Sequence, residues 1–118
     1  MLGDFVIIKM NSKMNTDMKN SWIGTSFHGD VINCTYDELV ELLGEPTNSY
    51  GYNGADEKVQ QEWMIITDDN VPFTIYDWKE YDRDVTDGDK VDWHIGHHNN
   101  DGDRESIEAW LIERGVIK

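Results

Sequence analysis

The chain has 118 residues, enough for one domain that buries a core without a disulfide or metal staple. Its 24 acidic and 10 basic residues give a net charge of −14, which argues against direct contact with nucleic acid or an anionic membrane surface. The single cysteine, Cys34, rules out an internal disulfide, and no apolar run approaches the roughly 20 residues of a membrane span.

Phe5-Val6-Ile7-Ile8 reads as a short strand and is too brief for the apolar region of a secretory leader. The expected location is therefore the cytoplasm. Asn11–Asn20 is a polar connection. Ser21–Cys34 predicts a hairpin: Thr25-Ser26-Phe27 goes out, His28-Gly29-Asp30 turns, and Val31-Ile32 returns. Thr35–Leu43 predicts a helix. Thr35 is an N-cap with Glu38 three residues on, a capping box, and Cys34 and Leu39 are placed as a hydrophobic staple. Tyr36, Leu39, Val40 and Leu43 form one apolar stripe, and Gly44 with Pro46 ends the helix.

Thr47–Lys58 reads as a loop. Three strands follow, at Val59–Thr67, Phe73–Lys79 and Val91–His97, rich in β-branched and aromatic residues. They predict an antiparallel meander with Phe73–Lys79 in the middle. The connection Glu80–Lys90 is dense in acids and is expected to be exposed. A last helix is predicted from about Arg104 to Arg114, with Asp103 as its cap and Gly115 as its stop. The whole is an α+β plan for residues 1–118: a mainly antiparallel sheet of about five to six strands, with two helices on one face.

Several groups invite a chemical reading. His28, His94 and His98 would be zinc ligands if the hairpin packed beside the third strand of the meander. His97 to Glu108 echoes the spacing of a calcium loop, with Asn99, Asp101, Gly102 and Asp103 between, but it starts on His instead of Asp. Asp77, on the face of Phe73 and Ile75, needs a partner such as Lys79, Arg83 or a Trp N–H, and a structural hydrogen bond is the simpler role. Cys34 has no basic neighbour in sequence to activate it. There is no nucleophile elbow, P-loop, dinucleotide fingerprint or zinc-protease helix. The reading is a non-enzymatic protein with no cofactor and no assigned metal.

What remains is a combination of aromatics and acids. Trp78, Glu80, Tyr81, Asp82, Asp84, Asp87, Asp89 and Asp92 are the candidate partner-binding residues. Exposed rings among carboxylates suit a basic protein surface, whose Arg and Lys would pair with the acids and stack on the rings. A small planar ligand such as a nucleobase is the alternative.

The series Gly24-Thr25, Tyr36-x-x-Leu39 with Leu43-Gly44-Glu45-Pro46, Glu62-Trp63, Thr74-Ile75-Tyr76-Asp77-Trp78-Lys79 and Trp93-His94-Ile95-Gly96 resembles a group of small, mostly uncharacterised proteins of tailed bacteriophages. The resemblance spans roughly Trp22 to His97, and its most specific part is the Thr-Ile-Tyr-Asp-Trp-Lys run. It carries over no catalytic or binding residue. What it implies is a setting: a phage-type accessory protein in a host bacterial cytoplasm that binds and inhibits a host protein, such as a nucleic-acid-binding defence component. Carboxylates spaced like backbone phosphates would compete for that protein's Lys and Arg.

Overall fold

The computed structural model describes residues 22–52 and 58–117. The expected strand at Phe5–Ile8 and the connection Asn11–Asn20 lie outside these residues. Within them the chain is α+β, a five-stranded antiparallel sheet with two helices. The strands are β1 (Ser26–Cys34), β2 (Asn48–Ser49), β3 (Gln61–Ile66), β4 (Pro72–Tyr76) and β5 (Val91–His97). The helices are α1 (Tyr36–Leu43) and α2 (Asp103–Glu113). The spatial order is β1-β5-β4-β3-β2, so β4 lies in the middle and β3-β4-β5 is the predicted meander.

Alternation sorts the side chains of the meander. Trp63 and Ile65 on β3, Phe73 and Ile75 on β4, and Val91, Trp93 and Ile95 on β5 are buried on one face. Leu39 and Leu43 of α1 and Ile107, Trp110 and Leu111 of α2 join the same core, so both helices cover that face. Trp63 and Trp93 meet edge to face across β4, with ring centroids 5.4 Å apart. Their indoles also hold α1 at both ends. Trp93 Nε1–H donates to the Cys34 carbonyl just before the helix, and Trp63 Nε1–H to the Gly44 carbonyl just after it. The capping box at Thr35 and Glu38 is formed as expected.

Four expectations are corrected. First, Ser26–Cys34 is one strand that pairs with β5 on both sides of an irregularity, not a hairpin. Phe27 faces Gly96 and Val31 faces His94, so four steps along β1 match two along β5 and His28-Gly29-Asp30 bulges out. Gly29, at φ +101°, supplies the local turn without reversing the chain. Second, Gly102 is the N-cap of α2, and Asp103 is its first residue. The Asp103 carboxylate accepts the Asn100 N–H instead of capping the helix. Third, the expected loop after Pro46 contains β2, which adds a short strand to β3. Residues 53–57 of that loop lie outside the described residues.

The fourth concerns the acidic connection, which does not lie wholly outside the core. Val85 is completely buried in it. The buried Gln60 side chain accepts the Val85 N–H and donates to the carbonyls of Glu80 and Arg83. Arg83 in turn reaches the carbonyls of Asp89 and Lys90 and the Asp87 carboxylate. The stop of α2 is as expected: the N–H groups of Gly115 and Val116 return to Ile112 and Leu111, a Schellman closure with Gly115 at φ +79°.

Candidate functional site

Among the described residues no helix covers the other face of the sheet. Thr74 and Tyr76 of β4 and Asp92, His94 and Gly96 of β5 alternate onto it, and Phe27 joins them from β1. His94 is the centre of an aromatic strip. Phe27 stacks on it at 4.0 Å with planes 22° apart, and Trp78 lies on its other side at 6.5 Å and 30°. Tyr76 meets both His94 and Trp78 edge on. Phe27 and Trp78 are each 40 % exposed, which is unusual for rings ordered by their neighbours. Beside the strip runs a groove of about 410 Å³ lined by Trp22, Ile23, Met64, Thr74, Tyr76 and Trp78. Gly96 forms part of its floor, because a Cβ there would meet Thr74 Oγ1 at 2.7 Å.

Trp22 anchors the near end of this groove. Its indole N–H is shared between the carbonyls of Ile65 and Phe73, and the ring is buried. The adjoining Ile23 is 71 % exposed.

Charge borders the strip on both sides. Asp92 is exposed and accepts a hydrogen bond from Asn33. Asp92 and Glu80 both act on His94, pulling its pKa up, but burial outweighs them and holds it below the ordinary histidine value. The ring is therefore neutral at pH 7. Lys58 and Lys79 place their ammonium groups 6.0 and 5.7 Å from the Trp78 ring.

The candidate partner-binding residues divide between the two sides of the molecule. Trp78, Glu80 and Asp92 come together at the strip. Asp84 lies toward α1, where its charge is felt by Tyr36, and its carboxylate accepts the N–H and hydroxyl of Thr86. Asp87 is held by Arg83 at 2.9 Å and by the Asp89 N–H. Tyr81 uses its carbonyl to accept the Tyr52 hydroxyl and is part-buried. Asp82 and Asp89 are exposed on the connection. The connection is thus a fixed loop in which two of its carboxylates serve the loop itself.

The histidines do not converge as a zinc site. His28 stands beside His97, with ring centroids 4.8 Å apart, while His94 belongs to the strip on the opposite face. Among the described residues no group of three or more His, Cys, Asp or Glu is placed to hold a metal ion. Asp77 is fully buried and does have a structural role, although its partners are not the expected Lys79, Arg83 or Trp. Its carboxylate accepts the backbone N–H groups of Gln60 and Gln61 at 2.8 to 3.0 Å, where β3 begins. Burial raises its pKa, against the lowering effect of those N–H groups. Cys34 is also perturbed: burial, with the Glu38 carboxylate, pushes its thiol up to about 11.

Comparison with known proteins finds no matching family model, no similar curated protein and no similar solved structure. Among the described residues no helix is long and apolar enough to cross a membrane. Phe27 and Tyr76 are members of the strip that sequence reasoning did not select as partner-binding residues, and His94 was singled out only as a zinc ligand. The available signal was parity: His94 shares its face with Asp92 on one strand, and Tyr76 with Trp78 on the next.

Proposed function

We propose that this chain is a binding protein that seats a basic protein surface on the open face of its sheet. The exposed Phe27–His94–Trp78 strip, bordered by Asp92 and Glu80, carries this reading. Tyr and Trp anchors dominate binding energy at protein interfaces, and Arg side chains stack on such rings while pairing with flanking acids. The charge of −14 supplies the long-range attraction. The resemblance to small phage proteins supplies the setting: an accessory protein that inhibits a host factor, with a nucleic-acid-binding defence protein as the natural basic target.

The test is capture of a partner from host lysate at low and high salt, followed by affinity measurement with purified components. Trp78→Ala and Phe27→Ala should each weaken the complex at least about tenfold, and Asp92→Asn with Glu80→Gln should flatten its salt dependence. Equal affinity of the wild type and both aromatic variants overturns the assignment of this face.

The two lysines beside Trp78 favour one alternative, a planar anion such as a nucleotide stacked on that ring with its phosphates on Lys58 and Lys79. A nucleotide that raises Tm in the wild type and not in Trp78→Ala would select it.

A further inference from the structure

A second concavity lies on the helix-covered side, between the β1 bulge and α2, away from the aromatic strip. Its volume is about 390 Å³, within the range of small-molecule pockets. Ile32, Ile95, Ile107 and Leu111 supply its apolar wall, and Asp30, His97, Arg104 and Glu108 its polar residues. The His97 side chain is 1 % exposed. Its Nδ1 accepts the backbone N–H of Asn99 at 3.0 Å. The neutral ring therefore carries its proton on Nε2. That N–H is buried and has no acceptor among the described residues. Asp30 Oδ2 is 3.9 Å away, too long for a hydrogen bond.

An unmet donor at the edge of a cavity specifies what would complete it, because leaving such a group unpaired is costly. Arg104 holds Asp30, its Nε–H donating to the same Oδ2 at 2.9 Å. Both partners of that ion pair are about half exposed, so it is weak and readily rearranged. Asp30 thus stands beside the Nε2 edge in a weak ion pair, on a bulge that has open space around Gly29. Asp30 and Glu108 disfavour an anion. An amine would satisfy them and leave the His97 donor unmet.

We propose that this cavity is a binding site for a small uncharged molecule with an apolar body and a carbonyl oxygen, which accepts the Nε2–H of His97. The apolar body lies against Ile107 and Leu111, and Asp30 moves aside to admit the carbonyl. The site is independent of the sheet face, and neither requires the other.

Three probes of one chain length test it: hexanamide, hexanoate and hexylamine, titrated into the full chain at neutral pH. Long-range proton–nitrogen NMR of the imidazoles reads His97 directly, and the methyls of Ile107 and Leu111 report the tail. Hexanamide is expected to bind at about millimolar Kd and to shift His97 Nε2 together with those methyls. Hexanoate and hexylamine should bind at least about tenfold more weakly. The proposal is overturned if no probe moves these signals, if all three bind alike, or if the amine or the acid binds best. His97→Phe should erase the preference for the amide, and Asp30→Ala should keep it. The wild-type series decides the matter even if His97→Phe fails to fold.

Discussion

The side-chain carbonyl of Gln60 accepts the backbone N–H of Val85 at 3.0 Å, so a residue just ahead of β3 fixes the middle of the acidic connection from inside. The same amide donates to Glu80 and Arg83, so three loop groups depend on one buried side chain. Gln60→Ala would strand all three and is expected to cost about 2–4 kcal/mol. Amide hydrogen exchange should then rise across residues 80–90 before it rises in β4. Uniform loss of protection throughout the sheet would show that the connection is not a separately held unit.

Asp77 makes a related prediction with a pH signature. Asp77→Ala leaves two buried N–H groups unpaired and should destabilise by about 2–5 kcal/mol. Asp77→Asn keeps an acceptor and should cost far less. The folded-state pKa of Asp77 is raised above its ordinary 3.8. Its favourable contribution is therefore complete below that value and declines as pH rises through the folded pKa, because the unfolded chain ionises first. The Tm gap between wild type and Asp77→Asn should narrow as pH rises from about 3.8. A gap that widened would reverse the assigned shift.

Cys34 should be inert while the protein is folded. With its thiol at about 11, only about one molecule in a thousand carries a thiolate at pH 8. Alkylation at that pH is expected to run about 100-fold slower than in denaturant. Rapid labelling of the folded chain would show that the thiol is not shielded. The shift also has a stability consequence: the contribution of this group is full below pH 9 and is lost as pH climbs through about 11.

Gly96 keeps the groove on the open face from being filled. A Cβ there would come within 2.7 Å of Thr74 Oγ1 and 3.4 Å of the Tyr76 ring. Gly96→Val is expected to cost about 1–3 kcal/mol and to weaken partner binding while leaving the hexanamide site untouched. Unaltered partner affinity in a folded Gly96→Val protein would separate the groove from the interface.

How far the sequence carries depends on the range of the forces involved. Helix α1 is legible because its capping box and apolar stripe are encoded within nine residues. The meander is legible because alternation repeats strongly through Trp63, Ile75 and Trp93. The β1 bulge is not: His28-Gly29-Asp30 is a good local turn, and only pairing with β5, some 60 residues away, keeps the chain going forward. Nothing local marks Gln60 as a buried anchor either, or Val85 as core among acids. The aromatic strip was half visible. Trp78, Glu80 and Asp92 could be chosen from composition, but Phe27 enters only once β1 is a single strand.

The bulge also bears on how copies of the chain meet. Among the described residues the sheet ends at β1 on one side and at the two-residue β2 on the other. A strand approaching β1 would find its backbone ladder out of step at Gly29, and one approaching β2 would find too little to pair with. Both borders therefore resist the edge-on stacking that begins fibrils. A protein built this way is steered toward face-on assembly, in which side chains, and not an indiscriminate backbone, choose the neighbour.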